Sequence, residues 1–175
     1  AMSTLLENGN TVTVNYDSPV ELTVDYVATQ FDFKFKLPST KYVEIHDGDG
    51  TSTIIQGQDG VEIIHTTTYA APGSYTFYVD GAVTDLTLID IHDQTMVSGS
   101  IEGFALLVNL GLLRFREVAN LTGNINIINS LPLLTGIYAN GSGILGDVST
   151  VPGYATLSNL RINDTDVTYD NIIQR

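Results

Sequence analysis

The sequence contains no cysteine, so it has neither a disulfide framework nor a metal site built from thiolates. Cationic residues are scarce as well: 7 Lys+Arg stand against 20 Asp+Glu, which gives a formal net charge of −13. Nucleic-acid binding requires cations that neutralise phosphates, and electrostatic docking on anionic lipid also requires basic residues. The composition therefore argues against nucleic acid and anionic lipid surfaces as partners.

Long hydrophobic runs are absent too, so no membrane span is expected. The most apolar stretch, residues 104–115, is short and is interrupted by Asn109 and Gly111. Residues 3–13 lack the basic and apolar segments of a secretory signal. If Met2 is the native start, a cytoplasmic or virion protein is expected. If the chain is part of a longer exported protein, a cell-surface location is expected, and both alternatives remain open.

Catalytic fingerprints are missing from the sequence. There is no Gly-x-Ser-x-Gly, no phosphate-binding loop and no dinucleotide fingerprint. The three histidines, His46, His65 and His92, are scattered without the short spacing that metal ligands on one element have. We therefore expect a protein that is not an enzyme and that has no cofactor.

Repeats organise the second half of the chain. A Leu-x-x-apolar-x-apolar pattern begins at four leucines, and the steps between them are 24, 24 and 23 residues (110−86, 134−110 and 157−134). Three Gly-containing blocks follow at the same steps. The lead leucines are Leu86, Leu110, Leu134 and Leu157, and the glycines are Gly99, Gly123 and Gly146. A single unit of this length cannot bury its own apolar residues, so neighbouring units must supply the core.

This period and pattern resemble the leucine-rich repeats, in which one short strand per coil stacks into a parallel array. The third copy, Leu134-x-x-Ile137-x-Ala139 with Gly146 downstream, is most similar to the plant-type and bacterial surface group. The resemblance implies a curved solenoid with a second short strand near each glycine and little helix. The asparagine that this family usually buries is replaced in each copy, by Gln94, Val118, Ser142 and Thr165.

Residues 10–80 alternate between polar and apolar, as in Phe31, Phe33 and Phe35. About seven short strands separated by turn signals indicate an antiparallel β-sandwich. Residues 43–50, which end in Gly-Asp-Gly, and the later Pro72-Gly73-x-Tyr75 resemble the PKD (polycystic-kidney-disease) type of immunoglobulin-like domain. The turn at Asp47–Gly50 is either a tight Asp-Gly connection or the start of a Ca²⁺ loop, and no metal site is assigned.

The predicted fold is therefore all-β. It has a PKD-like sandwich at residues 1–80 and a solenoid of about four leucine-rich coils at residues 81–175. No linker separates the two, so the sandwich is expected to cap the first coil. No capping motif closes the last coil. Either the chain continues beyond it or another chain covers it, and we expect self-association through residues 157–175.

The residues between the buried positions of each repeat strand should point outward in one grid. Asp90, Arg114, Tyr138 and Arg161 should form one column of this grid. Tyr and Arg dominate recognition surfaces, but the same column also fits a purely structural ladder of ion pairs and stacked rings. The candidate ligand-binding residues are Asp90, His92, Arg114, Arg116, Tyr138, Asn140, Arg161 and Asn163.

The predicted function is non-catalytic recognition or adhesion on a bacterial cell surface or a phage virion. The grid would bind a protein or a glycan, and its arginines favour an acidic one, because guanidinium groups pair with carboxylate or sulfate. The alternative is a structural module that joins subunits without a separate ligand.

Overall fold

The computed structural model describes residues 2–7, 10–15, 18–27, 30–148, 157–162 and 165–168. These residues form β-strands and three short 3₁₀ helices, Val83–Asp85, Glu102–Leu106 and Ile125–Ser130, so the predicted all-β class is confirmed. Among the described residues, no helix has the length and apolar character needed to cross a bilayer.

Sixteen strands are present in the described residues. The first eight are β1 (Met2–Glu7), β2 (Asn10–Asn15), β3 (Val20–Tyr26), β4 (Phe31–Lys36), β5 (Tyr42–His46), β6 (Ser52–Gln56), β7 (Ile63–Thr67) and β8 (Gly73–Gly81). The next eight are β9 (Leu88–Asp90), β10 (Val97–Ser100), β11 (Leu112–Arg114), β12 (Asn120–Asn124), β13 (Gly136–Tyr138), β14 (Gly143–Asp147), β15 (Asn159–Arg161) and β16 (Asp166–Thr168).

Strands β3 to β8 form antiparallel pairs in two different sheets. One sheet contains β3, β8, β5 and β6 in that order, and the other contains β4 and β7. Strict alternation explains the inward faces: Phe31, Phe33 and Phe35 are fully buried, whereas the residues between them are only half-buried. Phe77 of β8 packs against Phe31 and Phe33, with ring centroids 5.0 and 5.1 Å apart.

Each repeat contributes one strand to each sheet. β9, β11, β13 and β15 pair in parallel in the second sheet, and β10, β12, β14 and β16 pair in parallel in the first. The repeat spacing fixes the register, since Ile89 lies opposite Leu113, Leu113 opposite Ile137 and Ile137 opposite Leu160. Leu113 and Ile137 are fully buried, as the repeat spacing predicts.

The two sheets run without a break from the antiparallel strands into the parallel ones. β3 pairs antiparallel with β10, and β4 pairs antiparallel with β9. The result is an eight-stranded sheet, β16-β14-β12-β10-β3-β8-β5-β6, and a six-stranded sheet, β15-β13-β11-β9-β4-β7. One continuous hydrophobic core lies between them. Strands β3 and β4 therefore lie beside the first repeat and continue its two sheets.

Three parts of the chain end these sheets or lie outside them. β15 and β16 are the last described strands at the repeat end, and residues 169–175 lie outside the described residues, so the expected self-association through residues 157–175 stays a prediction. β6 and β7 end the sheets on the opposite side. β1 and β2 form a separate two-stranded hairpin that pairs with neither sheet.

Candidate binding face of the six-stranded sheet

The outward-facing residues predicted from the repeats, among them Arg114, Tyr138 and Arg161, lie on the outer side of the six-stranded sheet. We call this side the cationic face. Asp90 lies opposite Arg114, Arg114 opposite Tyr138 and Tyr138 opposite Arg161, so the four residues occupy one row across adjacent parallel strands. Adjacent strands lie about 4.8 Å apart. The register expected from the repeat spacing is therefore the observed one. The row also continues into β4, where Lys34 lies opposite Asp90.

Asp90 is the most enclosed member of this row. Only 1% of its surface is exposed, although it lies on the outer side of the sheet. Its carboxylate accepts hydrogen bonds from the ring and the backbone N–H of His92. It also accepts one from Nη1 of Arg114 at 3.3 Å. A buried carboxylate is tolerated when it is paired in this way, so Asp90 neutralises charge on the face and is not free to meet a ligand.

Tyr138 lies between two arginines. The guanidinium carbon of Arg114 is 5.7 Å from the centroid of the tyrosine ring, and that of Arg161 is 5.1 Å away. Cation–π contacts of this kind are favourable and keep both guanidinium groups close to the sheet. The ring of Tyr138 therefore serves to position the arginines.

The second predicted row contains His92, Arg116 and Asn140, while Asn163 lies outside the described residues. Arg116 forms a two-point ion pair with Asp93, with Nη2–Oδ2 at 2.6 Å and Nε–Oδ1 at 3.3 Å. The hydrogen bond from Arg116 lowers the pKa of the Asp93 carboxyl below its ordinary value, against a small opposing effect of burial. Arg116 is thus already paired within the protein.

The turns that follow β9 and β11 supply these acidic partners. Asp93 and Glu117 both adopt positive φ angles, 60° and 58°, and Gly141 follows at the equivalent place in the next coil with φ 72°. The Glu117 carboxylate accepts a hydrogen bond from the side-chain amide of Asn140 at 3.4 Å. Left-handed conformations at non-glycine residues are uncommon, and the repeat pattern of leucines gives no signal for them.

Two further cations on this face were missed by the sequence-based grid. Lys34 and Lys36 point outward because the phenylalanines between and beside them point into the core. Lys36 lies opposite Leu88 of the first coil, as Lys34 lies opposite Asp90. Lys34, Lys36, Arg114 and Arg161 lie on strands of this sheet, and Arg116 follows β11 two residues later, so five of the seven Lys+Arg in the sequence gather on this side of the sheet.

These five cations differ in how far the protein already neutralises them. Arg114 pairs with Asp90 and lies 3.9 Å from Glu62, and Arg116 pairs with Asp93. By contrast, Lys34, Lys36 and Arg161 form no ion pair with any carboxylate in the described part of the chain. These three side chains can offer charge and hydrogen-bond donors to an external anion.

The other sequence candidate, the turn at Asp47–Gly50, is occupied by internal hydrogen bonds. Asp47 is 6% exposed, and its Oδ1 accepts hydrogen bonds from the hydroxyl of Thr67 and from Nε2 of His65, the latter at 2.8 Å. Asp49 accepts two hydrogen bonds from Thr51. No cluster of three or more potential metal ligands occurs among the described residues. The turn thus ties β5 of one sheet to β7 of the other.

Comparisons with known proteins add no independent guide to this face. Searches against protein-family models, curated proteins and solved structures find no match to the chain. The function of this chain is therefore inferred from the residues of the cationic face and from the chemistry that they support.

Proposed function

We propose that this chain is a non-catalytic recognition module that binds an anionic glycan or an acidic protein segment through the cationic face. The observation that carries the proposal is the concentration of five of the seven Lys+Arg on one side of one sheet in a chain of net charge −13. If the 7 Lys+Arg were distributed at random over the surface, most of them would not lie on the same side of one sheet.

The chemistry of the three unpaired cations favours carboxylate or sulfate groups. A guanidinium donates two parallel hydrogen bonds to a carboxylate or a sulfate, and an ammonium adds a compact charge. Arg161 is held against Tyr138, so less side-chain freedom is lost when it binds a ligand. The strong negative charge of the whole chain would repel distant anions, and binding therefore depends on close contact with this face.

We infer that the fold combines a PKD-like immunoglobulin-like sandwich with a leucine-rich-repeat solenoid. Supporting this inference are the parallel register of the repeats and the burial of the first three lead leucines, Leu86, Leu110 and Leu134. The hydrogen bond between Asp47 and His65 also joins residues 43–50, the segment that resembles the PKD type, to β7. A module of this composition is suited to adhesion at a bacterial cell surface or on a virion.

The test is binding of sulfated, carboxylated and neutral oligosaccharides of equal length, and of acidic peptides, measured by titration calorimetry at two salt concentrations. Arg161→Gln should weaken binding of the anionic probes by roughly tenfold, because a charge-assisted hydrogen bond contributes about 1.5 kcal/mol or more. The matched control is Lys41→Gln, which removes the same charge from a lysine paired with Asp85. Equal losses in the two variants, or no binding of any anionic probe, would contradict the proposal.

A second candidate is a structural module that assembles with neighbouring subunits. The internal pairing of Arg114 with Asp90 and of Arg116 with Asp93 favours it, because these contacts stabilise the face without any ligand. If this candidate is correct, Arg161→Gln should leave probe binding unchanged, and the purified chain should instead associate with other subunits.

A further inference from the structure

The edge of the eight-stranded sheet at β6 is not paired with any further strand among the described residues. β5 is the only described strand that pairs with β6, and none of residues 52–56 is charged or proline. Ile54, at the centre of the strand, is 69% exposed. Proteins normally protect such an edge with a charge, a proline, a bulge or a covering segment. β6 has neither of the first two, so this edge is available to a further strand.

The hydrogen-bond pattern shows which backbone groups of β6 face outward. Asp47 donates to the carbonyl of Thr51, and Gly57 donates to the carbonyl of Lys41, so residues 51 and 57 belong to hydrogen-bonded pairs with the chain of β5. In antiparallel sheets such pairs alternate with pairs that do not bond to each other. The N–H and C=O groups of Ser52, Ile54 and Gln56 therefore point away from β5 toward the open edge.

The β1–β2 hairpin also lacks a neighbouring strand. Its strands bond to each other and to neither large sheet. A two-stranded hairpin alone in water is marginally stable at best, and further strands are needed to stabilise it. Residues 2–15 contain one charged side chain, that of Glu7. Two copies of a chain with net charge −13 repel each other least where segments of little charge meet, and the hairpin, with one carboxylate, and β6, with none, are such segments.

We propose that the β1–β2 hairpin of one copy adds to the β6 edge of a second copy and extends its eight-stranded sheet. Addition of the hairpin to the β6 edge of its own chain is excluded by reach. The hydroxyl of Ser18 donates to the carbonyl of Val79 and accepts from the N–H of Val20, which anchors Ser18 near β3 and β8. The three peptide units between Ser18 and Asn15 span at most about 11 Å. A strand outside β6 lies three strand spacings from β8, about 14 Å away.

The first test measures the association of the full chain by sedimentation velocity over a concentration series. The wild type should associate as concentration rises. Ile54→Pro removes an outward N–H and leaves the bonds to β5 in place, so this variant should stay monomeric. Ile54→Lys places a protecting charge on the edge and gives a second variant if the proline disturbs folding, which circular dichroism monitors. Ile64→Lys is the matched control, since Ile64 is 56% exposed on the edge strand β7 of the other sheet.

The second test identifies the donor strand. Because the chain has no cysteine, full-length chains carrying only Thr13→Cys can be mixed with chains carrying only Gln56→Cys and treated with a short bismaleimide. Cross-links between the two variants should exceed those within either one. A monomeric wild type, unchanged association of both Ile54 variants, equal loss in the Ile64 control, or cross-links dominated by Gln56→Cys pairs would each overturn the proposal.

Discussion

Replacing Asp90 by Asn should weaken the fold and strengthen anion binding at the same time. The Asp90 side chain is 1% exposed and accepts hydrogen bonds from His92 and from Arg114. Asn keeps the size of the side chain but removes its charge. The guanidinium of Arg114 would then be left with Glu62, which lies 3.9 Å away. This one substitution should therefore lower the free energy of unfolding and raise the affinity for anions.

The expected loss of stability follows from the exposure of the two partners. Breaking a buried ion pair costs about 3–5 kcal/mol, and a hydrogen bond to a charged group contributes about 1.5–3 kcal/mol. The Arg114 side chain is 37% exposed, so water replaces part of its lost contact. We therefore expect the free energy of unfolding to fall by about 2–3 kcal/mol, which for a chain of this size lowers Tm by about 4–12 °C.

Chemical unfolding followed by circular dichroism measures the stability, and calorimetry with a sulfated oligosaccharide measures the binding. Asp93→Asn is the control, because it frees Arg116 from a solvent-exposed ion pair and should cost much less stability. Both variants should bind the sulfated probe more tightly than the wild type, and the gain should shrink as salt rises. Weaker binding by a folded Asp90→Asn variant would show that the carboxylate itself contacts the ligand. Unchanged stability would refute the structural role of Asp90.

Three further predictions concern the hydrophobic core, the hydrogen bonds of Asp47 that join the two sheets, and the pKa of Asp93. Leu113→Ala should lower the free energy of unfolding by about 2–5 kcal/mol because Leu113 is fully buried, whereas Leu112→Ala, on the outer side, should cost far less in the same chemical-unfolding experiment. Asp47→Ala should lower the unfolding midpoint by removing the acceptor that joins the two sheets, and unchanged stability would refute that role. The lowered pKa of Asp93 means that its contribution to stability is present above the unfolded pKa near 4 and is lost as pH falls through the lower folded value; a carboxyl titration by NMR that gives an ordinary pKa would contradict this.

The register of the cationic face could be predicted because it follows from counting alone. When successive coils contain nearly equal numbers of residues, equivalent positions stack, and Arg114, Tyr138 and Arg161 must lie in one row. Their outward direction follows from the alternation of a strand. These inferences need only local pattern and period, and the sequence contains both.

The contribution of β4 could not be predicted from the same pattern. Lys34 and Lys36 belong to the antiparallel part of the chain, and the pairing of β4 with β9 joins residues that are far apart in sequence. Alternation shows that these lysines face away from the core, but it does not show which strand lies beside them. The left-handed turn at Asp93 was missed for a related reason, since an aspartate in that conformation leaves no periodic signal.

The joint between the two halves therefore matters for function as well as for folding. Because β4 continues the sheet of the repeats, the row that begins at Lys34 passes through Asp90 and ends at Arg161. Its two ends are cations that form no ion pair within the described residues, and its middle is neutralised by Asp90. Four strand spacings separate the ends, about 19 Å. A single small anion cannot contact both ends at that distance, so the arrangement favours an extended ligand that carries several anionic groups.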